Sequence, residues 1–420
     1  MIEKCGKITE NFPIFVIFKM KIVFRAILIA FGLVFLFFAA CDRRPKTPVT
    51  ELNTDSLFID LNKPLVEKRT ALTDRTFCEM HKTEGLNGVV LYAEGGQVIY
   101  RKAFGWRNLV KHKDSLRIDD QFQLASVSKM FTAEAIMLLH SQGKLDYDDP
   151  LSKYIPEFPY PGITLRHLLN HRSGLSRYET LADEHWPNRG VPIRNEDVIK
   201  LYCQYHPDPY NQPDVTFHYT NVNYVLLASV VERITGQHFE DFMRENVFIP
   251  LGMERSYIYS LRDVEWLSTY VDTDVQGHDM LSRGARRAQE DYLNGVVGDK
   301  VMYSTVDDLY KFHLALQHNT FLPDSIQREA FVPGSPEWKK GENYGFGWRM
   351  NAKHPGVVFH LGWWKGYRSY FIRDLAKDRV LIILTNTDRS ITGESLWEFI
   401  NDTTVRIPPS SINEGLLLLD

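Results

Sequence analysis

Between Met130 and Leu139 the apolar residues Met130, Phe131, Ala133, Ala135, Ile136, Leu138 and Leu139 recur at helical spacing, and Gly143 stops the run. That pattern predicts a buried helix of about four turns. Upstream, Gly88–Ala93 and Gln97–Tyr100 flank a Gly95-Gly96 turn, with Phe104-Gly105 continuing the second run, as in a hairpin. Mixed helical spacing after Pro64 predicts a helix over 65–81. Beyond the central helix the chain turns polar and proline-punctuated, and Thr164 is placed to cap a short helix. Further helices are expected over 195–205, 224–235 (closed by Gly236) and 239–247, with irregular, aromatic-rich loops over 176–215 as a cleft wall.

The last third changes character. Ser304–Asp308 reads as a cap for a helix over 309–318, followed by three expected strands, 356–360, 367–373 and 379–386, and a terminal helix beginning near Leu396. Strands at both ends with helices between them predict an α+β fold, an α/β sandwich. In it, 56–115 and 295–405 form an antiparallel sheet domain flanked by helices, and 116–294 form a mostly helical domain inserted into it.

Composition adds a compartment. The 420 residues are 44% apolar and 24% charged, with 49 Lys and Arg against 53 Asp and Glu. That is a globular composition with no basic surplus, so no nucleic-acid partner is expected. Ala26–Ala40 is an uncharged, almost wholly apolar run preceded by Lys19, Lys21 and Arg25 and followed by Cys41. It is short for a membrane span and suited to a secretory signal, so residues 1–41 are expected to be a signal peptide, starting at Met1 or Met20. Residues 42–55, polar with two prolines, read as a tether. Cys78 and Cys203 are 125 residues apart in no metal-ligand spacing, and are expected as buried free thiols or one bridge. No spacing such as His-Glu-x-x-His occurs, so neither metal nor cofactor is expected.

The chemistry is expected at the start of the central helix. Ser126 precedes Lys129 by three residues, which puts both side chains on one helical face, within reach for an amine to take a hydroxyl proton. The helix start offers backbone N–H groups to an oxyanion, and its positive end and apolar surroundings disfavour an ammonium. The spacing alone is weak: it recurs at Ser141 and Lys144 beside Gly143, where a frayed helix end is the plainer reading, and Ser126 could simply be an N-cap.

Five segments together are more specific. Leu124-Ala-Ser126-Val-Ser-Lys129, Ile163–Leu175 with Asn170-His171-Arg-Ser173-Gly174, Tyr219-Thr-Asn221, Tyr303-Ser304-Thr305 with Asp308-Leu309, and His360-Leu-Gly362 with Gly366 stand in this order. They resemble the serine beta-lactamase-related family over about residues 85–390. The resemblance implies a beta-lactamase/transpeptidase-like fold and a serine hydrolase acting through an acyl-enzyme on an amide or ester, with a small-molecule or peptide substrate, peptidoglycan included. It implies Ser126 as nucleophile, Lys129 as its proton partner, Tyr219 as the other base or the acid, and Asn221 as a holder of the substrate amide or the lysine. His360 and Gly362 would be the third motif on an edge strand that substrate can extend, and the amides of Ser126 and Trp363 the oxyanion hole. Ala39-Ala40-Cys41 is similar to the lipobox of bacterial lipoproteins, with Phe38 where an aliphatic residue is more usual. That implies lipidation at Cys41 and a lipid-anchored location in the cell envelope, outside the cytoplasm.

Other readings attach to these residues. Tyr292–Asn294 repeats the Tyr-x-Asn tripeptide, Trp364-Lys-Gly366 competes as third motif, and His171 reads as a structural histidine in a turn. Val301 stands where relatives often carry a glycine. A class C-like beta-lactamase and an inactive relative that binds peptidoglycan or a partner are the alternatives to the peptidase or esterase reading.

Overall fold

The computed structural model describes residues 63–267, 273–338, 341–391, 393–402, 404, 405 and 407. The expected signal peptide, Cys41 and the tether lie outside the described residues. A seven-stranded antiparallel sheet organises the rest. Its strands are β1 (Gly88–Glu94), β2 (Gln97–Phe104), β3 (Glu342–Tyr344), β4 (Arg349–Asn351), β5 (Val357–Trp364), β6 (Tyr367–Asp374) and β7 (Arg379–Thr385), in the spatial order β3-β4-β5-β6-β7-β1-β2. The sheet is thus assembled from both ends of the chain, with β7 pairing β1 from Gly88 opposite Thr385 to Glu94 opposite Arg379.

The central strands are buried on both faces, which is why β7 reads as an unbroken apolar run. Its alternate residues serve two cores. Leu381 and Ile383 join Phe77 and Met80 of helix α1 (Lys63–Thr83) and Leu396, Phe399 and Ile400 of the terminal helix. Val380, Ile382 and Leu384 face the larger core, which holds the helices between the strands. Those include α2 (Ser128–Ser141), α3 (Leu165–Leu169), α4 (Tyr178–His185), α5 (Asn195–Tyr205), α6 (Val222–Thr235) and α7 (Val306–Gln317), with α8 (Gly393–Asn401) closing the first core. Met130, Phe131, Ile136, Met137 and Leu139 of α2 are 0–1% exposed. Each contributes roughly 1.5–3 kcal/mol of burial.

The expected caps are present: Thr164 accepts from the His167 amide and Thr305 from the Asp308 amide. Three expectations need correction. The helix over 239–247 is α-helical only over Phe239–Met243 and continues as a π turn over Arg244–Phe248. The strand over 356–360 runs on to Trp364. Cys78 and Cys203 are free thiols as expected, but partly exposed rather than buried.

Candidate active site

Ser126 lies in a 3₁₀ turn, Ala125–Val127, directly before α2, and it is the one residue between Phe122 and Met137 that is not buried. Ala125 has φ +49, a left-handed conformation that alanine adopts only under constraint. The constraint is the sheet. Gly362 of β5 leaves no room for a side chain, since a Cβ there would sit 2.2 Å from the Leu124 carbonyl oxygen and 3.1 Å from Ala125 Cβ. Ser369, opposite Gly362 on β6, donates its hydroxyl to that Leu124 carbonyl. The serine is therefore pressed onto the sheet by a glycine and a small hydroxyl.

Lys129, one turn into α2, is fully buried. Its Nζ lies 3.2 Å from Ser126 Oγ and 2.8 Å from the main-chain carbonyl of Asp299. The Tyr219 ring centroid is 5.2 Å from the same nitrogen. Tyr219 also carries the Arg349 guanidinium over its ring at 4.7 Å and packs against His171 at 4.3 Å. Its hydroxyl is buried without a hydrogen-bond partner among the described residues. Ser126, Lys129 and Tyr219 are thus brought together, with the lysine nitrogen and the Arg349 guanidinium both over the phenol ring.

Asn221 makes no hydrogen bond to Lys129 among the described residues. Its Nδ2 donates to Glu179 Oε1 at 2.6 Å. Its Oδ1 has no hydrogen-bond partner among the described residues, while Glu179 Oε2 lies 3.7 Å from Arg177 Nε. His360 is fully buried, and both ring nitrogens are engaged: Nδ1 donates to the Leu361 carbonyl at 2.9 Å and Nε2 accepts from the Tyr344 hydroxyl at 2.9 Å. Burial, then the charges of Arg349 and Lys129, hold its pKa well below the ordinary histidine value. The imidazole is neutral. Burial likewise keeps His171 neutral, and its Nδ1 serves Asn223, in keeping with a structural role.

Along β5 the side chains alternate. Leu361 and Trp363 point to solvent, Trp363 being 62% exposed, while His360, Gly362 and Trp364 face the helices. Strand β4 pairs β5 only at Val358 and Phe359. From His360 onward β5 is therefore a free edge among the described residues, although the strand as a whole is not at the margin of the sheet. A cleft of about 660 Å³ opens beside this edge, lined by Glu179, Asn221, Trp363, Trp364 and Lys365 among others. Ser126 is not among the residues that line it. Among the described residues no group of His, Cys, Asp and Glu is arranged to hold a metal.

Arg349, Tyr344, Glu179 and the Asp299 carbonyl had no signal in the sequence that singles them out, because each reaches the site from a distant segment. The second Ser-x-x-Lys copy is inert in geometry: Ser141 is exposed and donates to the Leu138 carbonyl, beside the left-handed Gly143.

The family model for beta-lactamases matches residues 73–404. The chain is 33% identical over 327 residues to penicillin-binding protein 4* of Bacillus subtilis, covering 76% of this chain and 71% of that protein. It is 27% identical to the esterase EstB of Burkholderia gladioli, covering 76% of this chain and 90% of the esterase. A penicillin-binding protein homologue from Pyrococcus abyssi shares the fold with a TM-score of 0.66 and 25% identity, over 80% of this chain and 76% of that one.

Proposed function

The chain belongs to the beta-lactamase family of serine hydrolases, and from that premise we propose that it cleaves an amide or ester through an acyl-enzyme on Ser126. The observation that carries the reading is the 3.2 Å contact between Lys129 Nζ and Ser126 Oγ, made by a lysine whose other partner is a carbonyl. An amine so held donates to the carbonyl and turns its lone pair to the serine hydroxyl. Ser126 Oγ attacks the substrate carbonyl as its proton passes to Lys129. The backbone N–H groups of Ser126 and Trp363 hold the resulting oxyanion, and Tyr219 gives a proton to the leaving group. Water then attacks the acyl-enzyme by the reverse proton path. The free edge of β5 offers backbone pairing to an extended acyl chain, and the open Asn221 Oδ1 takes a substrate N–H. These features favour a peptide-like substrate, such as a D-amino-acid peptide of peptidoglycan, with simple esters accepted.

A fluorophosphonate probe followed by peptide mapping tests the site. A single adduct on Ser126 is expected; a protein that stays unlabelled would support the inactive, binding-only relative instead.

Signal cleavage and lipidation at Cys41 belong to the same reading, supported by the apolar run over 26–40 and the alanines before the cysteine. They place the enzyme on a lipid anchor in the cell envelope, where peptidoglycan is at hand. Among the described residues no helix is long and apolar enough to cross a membrane. Intact mass of the protein from a bacterial membrane fraction should show a diacyl or triacyl Cys41. An unmodified N-terminus downstream of it refutes the anchor.

A further inference from the structure

Beside the reacting groups lies a buried charge cluster that no step above uses. Asp299 is 0% exposed and Lys300 4%. Lys300 Nζ donates to Asp299 Oδ2 at 3.0 Å and to Oδ1 at 3.3 Å, and also to the Tyr178 hydroxyl. That hydroxyl in turn donates to Asp299 Oδ2 at 3.1 Å. The Lys300 ammonium lies 5.1 Å from the Trp364 ring, which walls the cleft. A buried ion pair is by itself a poor argument for stability, because desolvation offsets most of its attraction. What it holds in place is more informative.

The pair occupies a turn with a positive φ at both ends, one of them at a β-branched residue. Gly298 has φ +101, and a Cβ there would meet the Tyr224 carbonyl at 2.4 Å. Val301 has φ +65, a region that a β-branched residue enters at a cost of about 1–3 kcal/mol. A turn of this kind keeps its shape only where its surroundings fix it. Thr132 of α2 holds the Gly298 carbonyl at 2.7 Å, and the Asp299 side chain is clamped by Lys300 and Tyr178. Between these fixings is the Asp299 carbonyl, which receives the Lys129 N–H.

We propose that Asp299 and Lys300 are positioning residues, whose ion pair, braced by Tyr178, fixes the Asp299 carbonyl and so aims the Lys129 amine at Ser126. The proposal rests on Ser126 and Lys129 being the reacting pair.

The test uses the full chain with p-nitrophenyl ester as substrate, comparing wild type, Ser126→Ala, Asp299→Asn, Lys300→Met, Lys300→Arg and Tyr178→Phe. Misaiming the base should lower kcat roughly 10- to 100-fold in the Asn and Met variants. KM should stay within about threefold, because substrate contacts are untouched. Lys300→Arg should recover part of kcat. The acid limb of the kcat/KM profile should move to higher pH in Lys300→Met, where an unpaired carboxylate favours protonation nearby. It should move to lower pH in Asp299→Asn, where an unpaired ammonium opposes it. The other groups around Lys129, namely Tyr219, Tyr224, His171, His360 and Arg349, are the same in both variants. Opposite shifts support the proposal; a lower kcat with both limbs unmoved, or kcat near wild type, overturns it. Should the charge variants fail to fold, Tyr178→Phe removes one brace without stranding a charge, and a wild-type kcat in it also overturns the proposal. Activity surviving in Ser126→Ala would instead refute the assignment of the reacting pair.

Discussion

Gly362 and Ala125 are packed so closely that a methyl on the glycine would lie 3.1 Å from the alanine Cβ and 2.2 Å from the neighbouring Leu124 carbonyl oxygen. The obstacle is backbone, which cannot rotate away as a side chain could. Gly362→Ala is therefore expected to push the Ser126 turn off the sheet. Overpacking of this kind costs roughly 1–3 kcal/mol of stability. The misplaced nucleophile should lose on the order of 100-fold in kcat. Thermal melting and ester kinetics on the same preparation check this; wild-type kcat with normal melting would mean the turn has slack the packing does not show.

His360 bears on the beta-lactamase alternative. A lysine at this motif position would present a fixed positive charge to an antibiotic carboxylate, whereas a neutral imidazole committed to Tyr344 and Leu361 presents none. Penicillin should therefore acylate slowly and leave slowly, giving a stable mass adduct. Nitrocefin turnover should fall far below a kcat/KM of about 10⁶ M⁻¹s⁻¹. Turnover at or above that rate would favour the beta-lactamase reading.

Glu134 gives a pH signature in stability. It is fully buried in α2, and burial raises its pKa to about 7 from 4.5, with Gln327 donating to one oxygen and the other oxygen without a hydrogen-bond partner among the described residues. A carboxyl whose folded pKa lies above its unfolded one stabilises the fold fully below about 4.5 and loses that contribution as pH rises toward 7. The loss amounts to about 3 kcal/mol. Chemical denaturation at pH 5 and pH 8 should show this decline in wild type and a smaller one in Glu134→Gln. An identical pH dependence in both would place its origin elsewhere.

Much of this architecture is legible in the sequence because it is local. Helical spacing alone brings Ser126 and Lys129 together, and the β-branched and aromatic runs of β1, β2, β6 and β7 mark them as strands. The strands β3 and β4 are not legible: each has three residues, mostly polar, with no alternation long enough to read. Through them Tyr344 and Arg349 enter the site unannounced. Strand β5 reads short because Leu361, Gly362, Trp363 and Trp364 break the apolar alternation where the strand passes from paired to free edge. The Asn221–Glu179 contact spans 42 residues, and no local rule reports it. Val301 stands out in the sequence as a departure, and its left-handed φ is one that glycine would adopt more readily.

The central claim is that Ser126, and not Ser141, is the nucleophile. Hydrolysis of a p-nitrophenyl ester by the two alanine variants measures it directly. Ser126→Ala should be inactive with a melting temperature close to wild type, since the side chain is partly exposed and its hydroxyl braces nothing but Lys129. Ser141→Ala, at an exposed helix end, should keep nearly all activity. A Ser126→Ala protein that still turns over the ester at the wild-type rate would contradict the account.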